Sequence, residues 1–317
     1  MKRLLGLMIL DAIFIAIVGT LSPHFVSAAN ISTLLSNMAL EVIALTGLIL
    51  LMICGLFDLS VDGVTAMSAV ICGKLLNAGV PVPVSILAAM LGGGVVGYIN
   101  GYLVSRLKIN ALIATLGMWW VCLGIAYGIT KAISPFGFPE SFQAIGQAKF
   151  LGMRMAVWYA AVVVLVATLV LNYMRFGRHV LVIGGNREAA RLFGIPVFRT
   201  EITLYVLMGL LGAFVGIVMS ARLNAGAPNS TDGMTMRLVA AAVIGGCALS
   251  GGRGSIIGGV LGLLLMNMLT NAAILLGVSP YWQRALVGSV LLAAVLLDRA
   301  GGSLRVNIPW RKVEQER

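Results

Sequence analysis

Charge is scarce in this 317-residue chain: Asp, Glu, Lys and Arg make up 10% of it, against 60% hydrophobic residues. A water-soluble fold covers its core with roughly a quarter charged residues, so a soluble globular domain is excluded and lipid is the solvent for most of the surface. Histidine is nearly missing. His24 and His179 are the two present, and they are expected on opposite faces of the membrane, which rules out a metal site or triad built on both. The cysteines, Cys54, Cys72, Cys122 and Cys247, lie in or beside apolar stretches without C-x-x-C spacing, so they read as packing residues rather than metal ligands or a disulfide framework. No G-x-x-x-x-G-K-[ST] occurs, and the chain cradles no nucleotide by that motif. No catalytic grouping and no cofactor are expected. Acidic residues number 11 against 22 basic, a net charge of +11. The basic residues are scattered between apolar segments rather than gathered on an aromatic-laced patch, so no nucleic-acid partner is expected and a positive-inside bias explains the excess.

What the chain does have is apolar length. Mean hydropathy is +1.02, and stretches without any charged residue run 12–40, 75–105, 109–130, 155–174, 202–221 and 254–283. Each supplies the roughly 20 apolar residues that a spanning helix needs, and none alternates as a barrel strand does. The pattern predicts an all-α polytopic membrane protein with about ten transmembrane helices, at 4–21, 39–57, 63–79, 82–104, 110–130, 156–174, 202–221, 238–251, 255–276 and 284–297. The start has the basic residues of a signal peptide, but Leu4–Leu21 is longer than the usual apolar region of about 7–15 residues, and an uncleaved first span is expected. With both termini cytoplasmic, fifteen of the 22 Lys and Arg fall on the inner side, which supports that orientation in the bacterial inner membrane. Residues 1–317 then read as one transmembrane domain with an outer loop at about 131–155, an inner loop at about 175–201 and a cytoplasmic tail at 298–317.

Small residues recur four apart at Gly93, Gly97 and Gly101, at Gly212 and Gly216, and at Gly254, Gly258 and Gly262. Such spacing lets helix backbones approach closely in lipid. The inner loop reads RFGRHVLVIGGNREAARLFGIPVFRTE. Gly184 and Gly185 signal a turn, and Asn186 can cap a short helix with Glu188 in its first turn, ending near Gly194. Two interruptions of the apolar pattern predict broken helices, near 55–63 and 249–255. The first contains Asp58, Ser60 and Asp62; the second contains Ser250 and Arg253. Paired interruptions in two halves of a transporter mark a solute route, and these five residues are its candidates; a solvated cytoplasmic loop is the other reading of the first. Glu41 and Lys74 are expected near span ends. Asp11 falls in mid-span with no partner evident.

Several strings resemble one family. IGGNREAARLFGI (183–195) is similar to the E-A-A-x-x-x-G coupling loop of permeases from the ribose, xylose and autoinducer-2 branch of the ABC importers, through Glu188, Ala189, Ala190 and Gly194. AAVIGGCALSGGRGSIIGG (241–259), FDLSVDG (57–63), NGYLVSRLKINALIATLG (100–117) and LLGVSPYWQ (275–283) resemble further elements of that branch. The resemblance implies a sugar permease subunit, with Gly184, Gly185, Asn186, Glu188, Ala189, Ala190 and Gly194 as its ATPase-coupling segment. It also implies a cytoplasmic ABC ATPase that holds ATP and Mg, a periplasmic sugar-binding protein, and a second permease copy or paralogue. The chain departs from the family where G-Y-E-L-D is usual, having Gly233, Met234, Thr235, Met236 and Arg237. Two alternatives stay open: a permease of the same superfamily for a nucleoside or amino acid, and an ion-coupled secondary transporter with Asp11, Glu41, Asp58 and Asp62 as ion ligands.

Overall fold

Apolar runs in this chain start at small polar residues that satisfy the exposed amides of a first turn. The Ser27 hydroxyl accepts from the Asn30 amide (3.3 Å), the Asn110 side chain from Leu112 (2.9 Å) and Ser255 from Gly258 (3.1 Å). These caps open three long helices, α2 (Ala28–Ile53), α5 (Ala111–Thr130) and α12 (Ile256–Leu275). The computed structural model describes residues 2–131 and 133–303; the 304–317 part of the expected tail lies outside the described residues. In chain order the other helices are α1 (Lys2–Leu21), α3 (Val61–Asn77), α4 (Val82–Ser105), α6 (Glu140–Gln147), α7 (Met155–Tyr173), α8 (Arg175–Gly185), α9 (Arg187–Leu192), α10 (Val197–Leu223), α11 (Met234–Ile244) and α13 (Pro280–Ser303). A two-stranded hairpin, β1 (Lys149–Phe150) and β2 (Met153–Arg154), follows α6.

Among the described residues, seven helices are long and apolar enough to cross a membrane: α1, α2, α4, α5, α7, α10 and α12. Helices α3 and α13, which occupy the expected spans 63–79 and 284–297, stand outside these seven, and two other expected spans are corrected. The one expected at 238–251 is the 11-residue α11, ending at Ile244 before Gly245 and Gly246; at 1.5 Å per residue it covers roughly half of a hydrocarbon core about 30 Å thick. The one expected at 39–57 starts eleven residues earlier and ends at Ile53, a helix of 26 residues.

Of α2's most apolar window 83% is buried, against 17% for α1 and α5, so α2 is the protein-enclosed axis while α1 and α5 turn most of their surface to lipid. Helix α10 packs along α4, α3 and α2. The regular glycines explain its contact with α4: a Cβ on Gly97 would stand 2.9 Å from the Tyr205 carbonyl carbon and the Val206 Cα. Backbone approach of that kind substitutes dispersion contact for the hydrophobic effect that lipid cannot provide. One end of the bundle carries α8 and α9, and the other carries α6 and the hairpin, where Phe138 and Phe142 pack on Cys72, Leu76 and Ala221.

Candidate functional site

The first interruption begins where Gly55 takes φ +79 and the chain leaves α2. Its irregular backbone is satisfied within the protein. The Leu56 amide returns to the Leu51 carbonyl (2.9 Å), the Phe57 carbonyl accepts from Tyr205 Oη (2.9 Å) and the Leu59 amide donates to Thr115 Oγ1 (3.0 Å). Asp58 folds the segment on itself: its Oδ1 accepts the Ser60 amide (2.8 Å) and hydroxyl (2.6 Å), and Asn100 Nδ2 donates to Ser60 Oγ (2.9 Å). Non-helical backbone is tolerated at membrane depth only when buried and bonded in this way. Asp58, Ser60 and Asp62 are all buried, which disposes of the solvated-loop reading.

The second interruption meets the first. The Gly252 amide donates to the Ile53 carbonyl (2.8 Å), and a Cβ on Gly251 would lie 2.7 Å from the Gly55 Cα. Helix α8 closes the same seam, since a Cβ on Gly184 would lie 2.7 Å from the Gly252 amide nitrogen. Gly184 therefore belongs to the last turn of α8 and makes a close contact, a correction to its reading as a turn residue; the chain breaks at Asn186. Ser250 and Arg253 are exposed at this end of the bundle, apart from the buried Asp58 and Asp62.

Asp62 opens α3 and ties it to α11: its Oδ1 accepts from the Thr235 amide (2.9 Å) and hydroxyl (2.7 Å). Beside this contact, Arg237 Nε and Nη2 donate to Glu41 Oε1 (3.0 and 2.6 Å), while Glu41 Oε2 accepts from Asn267 Nδ2 (2.8 Å). Glu41 sits half-way along α2 and Arg237 in the first turn of α11. Glu41 was expected near a span end. The correction follows from helix bounds: α2 begins at Ala28 and α11 starts inside the bundle, so the two charges meet in the interior and neutralise one another. Asp11, buried on α1, has no hydrogen-bond partner among the described residues.

A cavity of about 790 Å³ opens against this polar layer. Trp119, Trp120 and Tyr127 of α5 line one side; Asp232, Arg237 and, from α13, Gln283 line another. Sequence reasoning singled out Arg237 as a departure from the family pattern but missed Trp119, Trp120, Tyr127 and Asp232, although Trp119 and Trp120 stand in mid-helix where an interfacial aromatic belt does not reach.

At the α8 end, the Asn186 side chain accepts from the Ala189 amide (3.0 Å) and caps α9. The helix closes at Gly194 with φ +74 as the Ile195 amide returns to the Ala190 carbonyl (3.0 Å), the left-handed termination that glycine favours. Glu188 is exposed and bonds Arg191 (3.2 Å), and Arg187 reaches the buried Glu201 (2.5 Å). Nearby, desolvation and then Arg187 hold the Lys108 ammonium below the usual lysine range. Ala190 is wholly buried in the chain itself, whereas Leu192 is 89% and Phe193 83% exposed. Neither of those two was singled out from sequence. Their apolar surface stands on an inter-helix connection that carries Arg187, Arg191 and Arg199.

Residues 27–295 match the model of the family described as branched-chain amino acid transport system / permease component. The chain is 35% identical over 294 residues to the L-arabinose transport system permease protein AraH of Escherichia coli (strain K12), covering 93% of this chain and 90% of that protein. It is 35% identical over 302 residues to the ribose import permease protein RbsC of the same strain, covering 94% and 92%. RbsC of Bacillus subtilis (strain 168) is 35% identical over 297 residues, covering 93% and 91%.

Proposed function

The chain belongs to the branched-chain amino acid transport system / permease component family, and we propose that within it this protein carries a sugar through the inner membrane as the spanning subunit of an ATP-driven importer. The observation that carries the reading is the meeting of both helix interruptions with α8 at the glycine seam of Gly55, Gly184, Gly251 and Gly252. A force applied to α8 and α9 reaches the backbone of the two broken segments with no flexible side chain between. From there α3 and α11 lead to Asp62, Thr235, Glu41 and Arg237 and to the cavity. Two packings of this frame, exchanged by a partner acting on α9, would open the cavity to one side and then the other.

In this reading the α8–α9 end and both termini face the cytoplasm, and a separate ABC ATPase, which holds ATP and Mg, seats on α9. Leu192 and Phe193 insert into that partner, Glu188 and Arg191 flank them, and Gly185, Asn186, Ala189, Ala190 and Gly194 shape the helix that presents them. A periplasmic sugar-binding protein delivers the solute at the α6 end, and a second permease copy or paralogue completes the pore. The permease holds no nucleotide of its own.

Uptake of radiolabelled L-arabinose and D-ribose by cells expressing the full chain with its ATPase tests the reading. Uptake should survive an uncoupler and stop on ATP depletion. The reverse response would point to an ion-coupled carrier, and accumulation of leucine in place of either sugar would point to an amino-acid permease.

A further inference from the structure

We propose that the cavity between α5, α11 and α13 is a binding site for a neutral, polyhydroxylated ring of monosaccharide size, so that the permease chain itself selects its solute. This rests on the reading of the chain as a sugar permease and adds a recognition step inside the membrane domain. The cavity's volume, about 790 Å³, lies in the range of small-molecule sites and exceeds what one or two ordered waters would fill. Its α5 wall is aromatic: Trp119 and Trp120 lie 5.2 Å apart between ring centroids at 35°, and Trp120 is 66% exposed. The indoles, with Tyr127 two turns further along, line the cavity with aromatic surface of the kind that packs on the C–H face of a sugar ring.

The facing wall is polar, and its charges are arranged for a neutral guest. Glu41 Oε1 takes both Nε and Nη2 of Arg237, and Asn267 holds the other oxygen, so the guanidinium is compensated from behind while Nη1 has no hydrogen bond among the described residues. Arg237 thus presents a fixed donor without a net positive charge. Asp232 supplies a carboxylate that forms no ion pair among the described residues, and Gln283, whose amide nitrogen is held by the Val278 carbonyl (3.2 Å), leaves its oxygen as an acceptor. Hydroxyls both donate and accept, which matches this mixed set. A solute carboxylate or phosphate would face Asp232 and gain no uncompensated cation from the described lining residues.

The test uses the purified full chain in nanodiscs and saturation-transfer NMR with D-ribose, L-arabinose and D-galacturonate as probes. The neutral sugars should bind saturably, with D-galacturonate weaker by about tenfold, equivalent to one opposed charge. Trp120→Ala should weaken the neutral sugars about tenfold, and Asp232→Asn should narrow the gap between galacturonate and the neutral sugars. Both positions are exposed, so unchanged melting temperatures are expected and separate a lost contact from a lost fold. Should the wild type import a sugar while none saturates the isolated chain, or should Trp120→Ala and Asp232→Asn bind as the wild type does, the site is refuted and the importer reading stands. Equal binding of galacturonate to the wild type refutes the selection for neutral solutes. If the wild type imports no sugar, the importer reading fails instead.

Discussion

Alanine at Gly184 and alanine at the adjacent Gly185 are chemically the same change on the same helix, yet the seam makes them opposites. A Cβ on Gly184 would lie 2.7 Å from the Gly252 amide nitrogen and 2.9 Å from the Ile53 carbonyl carbon, whereas one on Gly185 meets nothing within 4 Å. The three nearest atoms met at Gly184 are all backbone, so no rotamer change can relieve the overlap. Either α8 withdraws or the Gly252–Ile53 hydrogen bond of 2.8 Å opens. Withdrawal costs about 1–3 kcal/mol as overpacking and the lost bond about 1 kcal/mol, so Gly184→Ala is expected to destabilise by roughly 1–3 kcal/mol. The helix-propensity gain of alanine over glycine, at most about 1 kcal/mol, is shared by both variants and cancels in their difference. Thermal unfolding of the purified full chain measures that difference, at about 2–4 °C per kcal/mol for a chain of this general size. Uptake in cells should fall with Gly184→Ala and persist with Gly185→Ala, because only the first separates α8 from the broken segments. Melting midpoints within a degree of each other would refute the close contact, and normal uptake by Gly184→Ala would refute its role in transmission.

The buried pair offers a second check: Glu41→Gln or Arg237→Gln alone should cost about 3–5 kcal/mol by stranding the partner charge, while the double variant should recover much of it. Additive losses in a double-mutant cycle by thermal melts would sink that account. On α9, Leu192→Asp with Phe193→Ser should leave folding unchanged and abolish co-purification of the ATPase, given the exposure of both residues. Ala190→Trp, by contrast, should lower the yield of folded protein, since the side chain is wholly buried in this chain; full yield would mean that the face is open. Thiol labelling of single cysteines introduced at 175–199 and 135–150 should report opposite sides of the membrane, against a background of four buried native cysteines. Labelling of both from one side would overturn the orientation.

Sequence alone determined the solvent, the helical class and most of the helix positions, because these follow from local quantities: apolar run length, charge-free stretches and, for α9, the capping chemistry of Asn186. It also located both interruptions, since glycine and aspartate break a helical pattern wherever they fall. Depth was another matter. A lone Glu41 or Arg237 beside apolar residues reads the same whether it snorkels to an interface or meets an opposite charge inside, and only the tertiary structure pairs them across 196 positions. Asp62 and Thr235, separated by 173 positions, are joined for the same reason. The half-length of α11 depended on where the chain re-enters the bundle, which hydropathy averaged over a window cannot resolve. Gly184 read as a turn because glycine's local signal is conformational, whereas its use here is the missing Cβ against a backbone brought from Ile53 and Gly252. The cavity, made by side chains of α5, α11 and α13, exists only once those helices are side by side. Short-range chemistry sets what each segment becomes, and long-range packing decides which of its groups meet.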